Sequence, residues 1–158
     1  METQLGKIYQ QIGETIVEMI PEEWEKVDLY GEVAEGFCRA YFFYYPKNNK
    51  TPVYFHDIRE KFNNHEDEFL RLKSQLFDLL VELWETFKKH DQEPWTNLTL
   101  FLDSSGKFKI DYDYEDLSDV NPLHQQIIWE YKHLGLIPEN QEDREFLEEY
   151  LKNEKEEK

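Results

Sequence analysis

Cysteine is scarce, basic residues are outnumbered, and no apolar run is long. Cys38 is the one cysteine, so no intrachain disulfide can form and a thiolate cluster around a metal is excluded within one chain. A reducing compartment suits such a chain. Lys and Arg number 18 against 35 Asp and Glu, for a formal net charge of -17 over 158 residues. Proteins that hold a phosphate backbone do so with cations; direct binding of nucleic acid is therefore not expected, and an anionic membrane surface is repelled in the same way. No stretch approaches the roughly 18 apolar residues of a membrane span. The opening residues, Met1 to Leu5, show neither the basic nor the apolar segment of an export leader. A cytoplasmic protein is expected, in which the N-x-T triplets at Asn49 and Asn97 have no meaning as glycosylation sites. No G-x-S-x-G, P-loop or G-x-G-x-x-G motif occurs, and the five histidines contain no H-E-x-x-H pair. No cofactor and no metal is implied.

What the chain does have is an aromatic content of 16% beside that charge. An acidic disordered tail lacks aromatics. Here they run through the whole length, so the chain can bury a core and still present a dense negative surface. Self-repulsion of this size opposes compaction, and the field it creates attracts a basic partner. The length is that of one domain, expected over residues 1–158.

Leu5, Ile8, Ile12, Ile16 and Met19 recur at helical spacing, and Pro21 stops that helix. From Trp24 the period becomes two, with Val27, Leu29, Gly31 and Val33 inward and Lys26, Asp28, Tyr30 and Glu32 outward. A second strand, Phe37 to Tyr45, is aromatic on both faces, which places it centrally or beneath a helix; a short third spans Val53 to Phe55. Between His65 and His90, Phe69, Leu72, Leu76, Leu79, Leu80, Leu83 and Phe87 form the longest helical stripe. Leu98, Leu100 and Leu102 begin a hairpin that turns at Ser104-Ser105-Gly106 and returns from Lys107 to Tyr114, with Phe108, Ile110, Tyr112 and Tyr114 on one face. Asn121-Pro122 starts a helix with the stripe Leu123, Ile127, Tyr131 and Leu134, and Gly135 ends it. A last helix from Asn140 buries Phe146, Leu147, Tyr150 and Leu151, and residues 152–158 are expected to fray. The order reads as α+β: an antiparallel sheet of about five strands with helices packed on it.

Asp111, Asp113, Glu115, Asp116 and Asp119 place five carboxylates in nine residues without a Lys or Arg among them. The strand phase turns Asp111 and Asp113 to solvent and makes an acidic ridge. A calcium loop counted from Asp111 lacks Gly at its sixth position and has Pro122 at its twelfth. Metal catalysis needs carboxylates that converge in a pocket rather than alternate along a strand. His124 and His133 fall on opposite helix faces, His56-Asp57 has no nucleophile to serve, and Cys38 reads as a buried, inert thiol. Of Trp24, Trp84, Trp95 and Trp129, most are expected in the core. Trp129 lies about 100° beyond Ile128, at the edge of the buried face, where it reads as an interface anchor. The expected partner-binding residues are Asp111, Asp113, Glu115, Asp116 and Trp129. Competing acidic stretches are Glu22 to Glu35 and the last helix with Glu142, Asp143, Glu145, Glu148 and Glu149, partly offset by Arg144.

Taken together, Ile20–Val33 (IPEEWEKVDLYGEV), Phe42–Tyr45 (FFYY), Trp95–Leu100 (WTNLTL), Gly106–Leu117 (GKFKIDYDYEDL) and Trp129–Pro138 (WEYKHLGLIP) resemble the YezG/EsaG family of bacterial antitoxins. The resemblance spans nearly the whole chain. It implies a cytoplasmic immunity protein of Gram-positive bacteria that neutralises the C-terminal nuclease domain of a type VII-secreted (LXG-type) toxin, and it transfers no catalytic residue. A DNA-holding nuclease presents a positive groove, which an acidic protein can enter as a phosphate surrogate or cover as a steric plug. The alternatives are an acidic adaptor or chaperone for a basic protein, and a metal-dependent hydrolase using the 111–119 carboxylates. A homo-oligomer is left open.

Overall fold

The computed structural model describes residues 1–61 and 66–157. The chain divides into two compact units, Met1–Glu115 and Asp116–Lys158. The first holds α1 (Glu2–Met19), β1 (Trp24–Ala34), β2 (Phe37–Pro46), β3 (Val53–Tyr54), α2 (Ile58–Lys61), α3 (Glu66–Lys89), β4 (Asn97–Asp103) and β5 (Phe108–Asp113). The second holds α4 (Pro122–Leu134) and α5 (Gln141–Glu156). The fold is mixed α+β, with an antiparallel sheet of five strands among the described residues, in the order β3-β2-β1-β4-β5.

Helix α1 ends where Pro21 forces the residue before it out of helical geometry, and Ile20 is extended at φ -85°, ψ 116°. Its buried stripe is Ile8, Ile12, Thr15, Ile16 and Met19. The stripe packs beside α3, where Gln75 Nε2 donates to Thr15 Oγ1 at 2.8 Å. All seven stripe residues of α3, from Phe69 to Phe87, are buried. At about 1.5–3 kcal/mol for each large apolar side chain, this row is a major part of what holds the unit together. The expected start of α3 at His65 lies outside the described residues.

Under α3 lies one face of the sheet. Val27, Leu29 and Gly31 of β1 stand level with Tyr44, Phe42 and Ala40 of β2, and with Leu102, Leu100 and Leu98 of β4. Gly31 is where α3 comes closest: a Cβ there would sit 3.4 Å from side-chain atoms of both Leu80 and Leu98. A methyl just fits, and larger groups do not. Gly31→Val is therefore expected to cost about 1–3 kcal/mol through overpacking, with Gly31→Ala near neutral; urea denaturation of both variants measures the difference.

Several sequence expectations are corrected. Tyr30, expected on the polar face, is fully buried. It stacks on Tyr41 at 5.1 Å and donates to Glu32 Oε1 at 2.7 Å, so this face of the sheet also carries core. Phe55 leaves β3 for a 3-10 turn and packs against Phe42 at 5.2 Å. Strand β5 stops at Asp113, and Tyr114 is exposed, because Thr96 Oγ1 reaches past the strand end to the Glu115 carbonyl at 2.6 Å.

In the second unit, Asn121 caps α4 by accepting from the N–H groups of Leu123 and His124, Pro122 is the first helical residue, and Gly135 ends the helix at φ 68°. Ile127 and Trp129 are its buried residues, while Leu123 is exposed. In α5 only Leu147 is buried. That helix runs past the expected fraying point to Glu156, held by Lys132, whose ammonium pairs with Glu154 at 3.2 Å and donates to Tyr150 Oη at 3.3 Å. Among the described residues no helix is long and apolar enough to cross a membrane.

Candidate partner-binding surface

The β4–β5 hairpin is a stiff platform. Asp103 Oδ1 accepts from Ser105 Oγ at 2.6 Å, Ser105 N at 2.9 Å and Lys107 N at 3.0 Å, and Gly106 supplies the positive φ of 93° that the turn requires. The Ser105 hydroxyl, with the Lys107 and Ser105 amides, holds the Asp103 carboxyl below the usual range. At the other end, Thr96 N donates to the Asp113 carbonyl at 2.8 Å. Between these anchors, Tyr112 is pinned from the helix side. Its hydroxyl meets Tyr9 Oη at 2.6 Å, and its ring packs on Phe87 at 5.1 Å and Trp95 at 5.8 Å.

Fixing that phase turns Lys109, Asp111 and Asp113 to the opposite face, and all three are exposed. Asp111 and Asp113 stand two residues apart, about 7 Å along the strand. Each already has a neighbour. Lys109 Nζ lies 3.7 Å from Asp111 Oδ2, a cation on the same face just before the carboxylate run, and so exposed a pair screens its charge only weakly. Asn97 Nδ2 donates to Asp113 Oδ2 at 3.1 Å. Glu115 is exposed beyond the strand end. Asp116 opens the second unit, where its Oδ1 accepts from Ser118 N at 2.9 Å, and the Ser118 groups hold its carboxyl below the usual range.

Trp129 is placed differently from the sequence expectation. It is 5% exposed, not at the rim of α4, and its ring lies 5.1 Å from His133; an indole so covered is a core residue of its helix. Strand register sets Glu32, half-buried and accepting from Tyr30, in one row with the buried Asn97 and then Asp113. No spacing along the chain brings residues 32 and 113 together; only the β1–β4–β5 pairing does.

Of the competing acidic stretches, Glu22 to Glu35 is largely engaged. Glu22 accepts from Tyr44 Oη at 2.6 Å, Glu23 lies 3.7 Å from Lys47 Nζ, Glu25 accepts from Asn48 N at 3.2 Å, and Glu35 pairs with Lys88 at 3.1 Å. On α5, Arg144 turns its guanidinium to the carbonyls of Pro138 and Glu139.

Groups that suggest chemistry are otherwise engaged. His56 Nε2 accepts from Lys73 Nζ at 2.9 Å. Burial, then Lys73 and Arg59, push its imidazole below the ordinary value, so it is a neutral acceptor. His124 stacks on Phe146 at 3.7 Å. Cys38 is half-buried rather than buried; burial, with Asp78 and Glu32 nearby, pushes its thiol up to about 11, away from the reactive thiolate. Among the described residues no three His, Cys, Asp or Glu side chains are grouped so as to hold a metal ion.

Residues 5–148 match the family model described as "Immunity protein YezG-like". The chain belongs to the YezG-like immunity protein family. It is 43% identical over 150 residues to Immunity protein YezG of Bacillus spizizenii, covering 94% of this chain and 93% of that protein. Its identity to Immunity protein YezG of Bacillus subtilis is 39% over 146 residues, 91% of this chain and 97% of the relative. Type VII secretion system protein EsaG of Staphylococcus aureus is 32% identical over 142 residues, 89% of this chain and 87% of the relative. Family membership gives this chain an antitoxin role, one of binding a cognate toxin.

Proposed function

We propose that this protein binds and inhibits the basic nuclease domain of a type VII-secreted, LXG-type toxin, in the cytoplasm of the cell that makes it. The observation that carries the reading is the net charge of -17, part of it displayed on the anchored hairpin that bears Asp111, Asp113 and Glu115. A surface that groups like charges without full neutralisation costs folding stability; a cationic partner returns that energy on binding. The nuclease half of the proposal rests on this complementarity, since a protein that grips DNA must be positive where the DNA lies. Asp111, Asp113, Glu115 and Asp116 are proposed to face that positive surface.

The test uses the C-terminal domain of the cognate toxin. Purified protein at equimolar ratio is expected to stop DNA cleavage by that domain. The association rate is expected to fall about tenfold or more between low and high salt, as electrostatic steering requires. Binding without protection would make the protein an adaptor; protection with a salt-independent association rate would remove steering from the account.

A further inference from the structure

Beside the hairpin turn, the first unit carries an open groove of about 610 Å³. Its floor is apolar: Tyr9, Gly13 and Val17 of α1 on one side, Leu102, Gly106 and Phe108 on the other. Tyr9 closes one end with its ring 5.5 Å from Phe108. Val17 opens the other, and at 44% exposed it is a large apolar side chain left in solvent by an otherwise well-packed helix.

Gly13 makes the gap between them. Apart from proline, glycine is the poorest residue for a helix interior, and helical glycines are normally explained by something packed too close for a side chain. Nothing of the kind is present here: a Cβ on Gly13 would meet nothing beyond its own helix within 4 Å, and although Gly6 near the start of α1 is equally open, Gly13 is the one of the two that lines the groove. A local rule is broken with no gain inside the fold, which is where functional surfaces are found. The space that glycine leaves is the groove itself.

Charge selects the occupant. Glu14 and Glu18 stand on the groove's α1 side, and the last turn of α1 has no basic residue to offset the negative end of the helix dipole. Past Val17 the surface continues to Trp24 with Glu22, Glu23 and Glu25, three carboxylates against the single cation Lys47, which lies 3.7 Å from Glu23. A second copy of this chain would bring the same negative rim and be repelled. A segment with an apolar side chain flanked by Lys or Arg is complementary in both respects.

We infer that this groove is the apolar anchor point of the toxin interface, taking a hydrophobic side chain from a basic segment of the toxin. The inference rests on the reading given under Proposed function and goes further by naming the pocket and the chemistry of what fills it. Buried apolar anchors supply affinity while exposed charge mainly sets the association rate, so the groove and the acidic ridge should differ in which rate constant they control.

The experiment measures binding kinetics of the full chain to the C-terminal domain of the cognate toxin, its nuclease centre inactivated. Gly13→Phe fills the groove and is expected to weaken binding about 30-fold or more, chiefly by faster dissociation. Gly6→Ala, on the same helix but outside the groove and likewise adding a methyl in open space, should bind like the wild type. If Gly13→Phe melts early, Val17→Arg decides, because it places a cation at the mouth from an already exposed position. Wild-type affinity in a folded Gly13→Phe or Val17→Arg variant overturns the inference while leaving the proposed function intact. A wild-type dimer that Gly13→Phe converts to a monomer overturns it also, by showing a second copy to be the occupant. A wild-type chain that does not bind the toxin domain overturns the proposed function and this inference together.

Discussion

A variant carrying Asp111→Lys, Asp113→Asn, Glu115→Lys and Asp116→Asn is expected to stay folded and to associate with the toxin domain about tenfold or more slowly at low salt, since charge steering contributes on that scale. The choice of substitutions follows from the contacts. Asp111 and Glu115 are exposed and accept reversal. Asp113 receives the Asn97 amide at 3.1 Å, and Asp116 receives the Ser118 amide at 2.9 Å; asparagine keeps an acceptor oxygen at both places while removing the charge. Surface changes that preserve such contacts usually shift stability by only about 0.5 kcal/mol each. The thermal midpoint should therefore stay near that of the wild type while nuclease protection weakens. Protection at wild-type rate and stoichiometry by the folded variant would place the interface elsewhere, with the Glu22 to Glu35 stretch the next to test.

Removing the Trp95 indole is expected to produce the largest loss of stability. Trp95 is fully buried and its ring lies 5.8 Å from Tyr112, which in turn shares its hydroxyl contact with Tyr9 of α1. Trp95→Ala would open a cavity beneath this aromatic group, and changes of that kind cost about 3–5 kcal/mol. Against a total stability of about 5–15 kcal/mol for an ordinary domain, that is a large fraction. Urea denaturation should show a lower midpoint at unchanged slope, and Trp95→Phe should recover much of the loss. A cost below about 1 kcal/mol would mean that the surrounding rings collapse to fill the space.

Most of the secondary structure follows from short-range patterns. The α3 stripe, the Pro21 stop, the Ser104-Ser105-Gly106 turn and the Asn121 and Gly135 ends of α4 each depend on a handful of neighbouring residues, and each is found as expected. Departures come where a distant segment decides. Tyr30 alternates with polar residues and reads as outward, yet its cross-strand partner Tyr41 and a covered second face make it core. Leu123 keeps helical register with Ile127 but is exposed, because α4 buries Ile127 and Trp129 instead. The last turns of α5 carry too little apolar surface to predict helix beyond Lys152, and an ion pair from Lys132, on another helix, holds them.

The site divides in the same way. By itself the sequence determined that the protein is acidic, aromatic-rich and without catalytic motifs, and the β5 alternation was enough to turn Asp111 and Asp113 outward, because composition and period-two geometry are properties of the chain alone. Tertiary structure decided the rest. It set Glu32 in a row with Asp113 through strands far apart in sequence, covered Trp129 so that its ring became core, and left Gly13 facing open space beside Phe108. These outcomes depend on which surfaces meet, and that is settled by long-range packing and register rather than by any local spacing of residues.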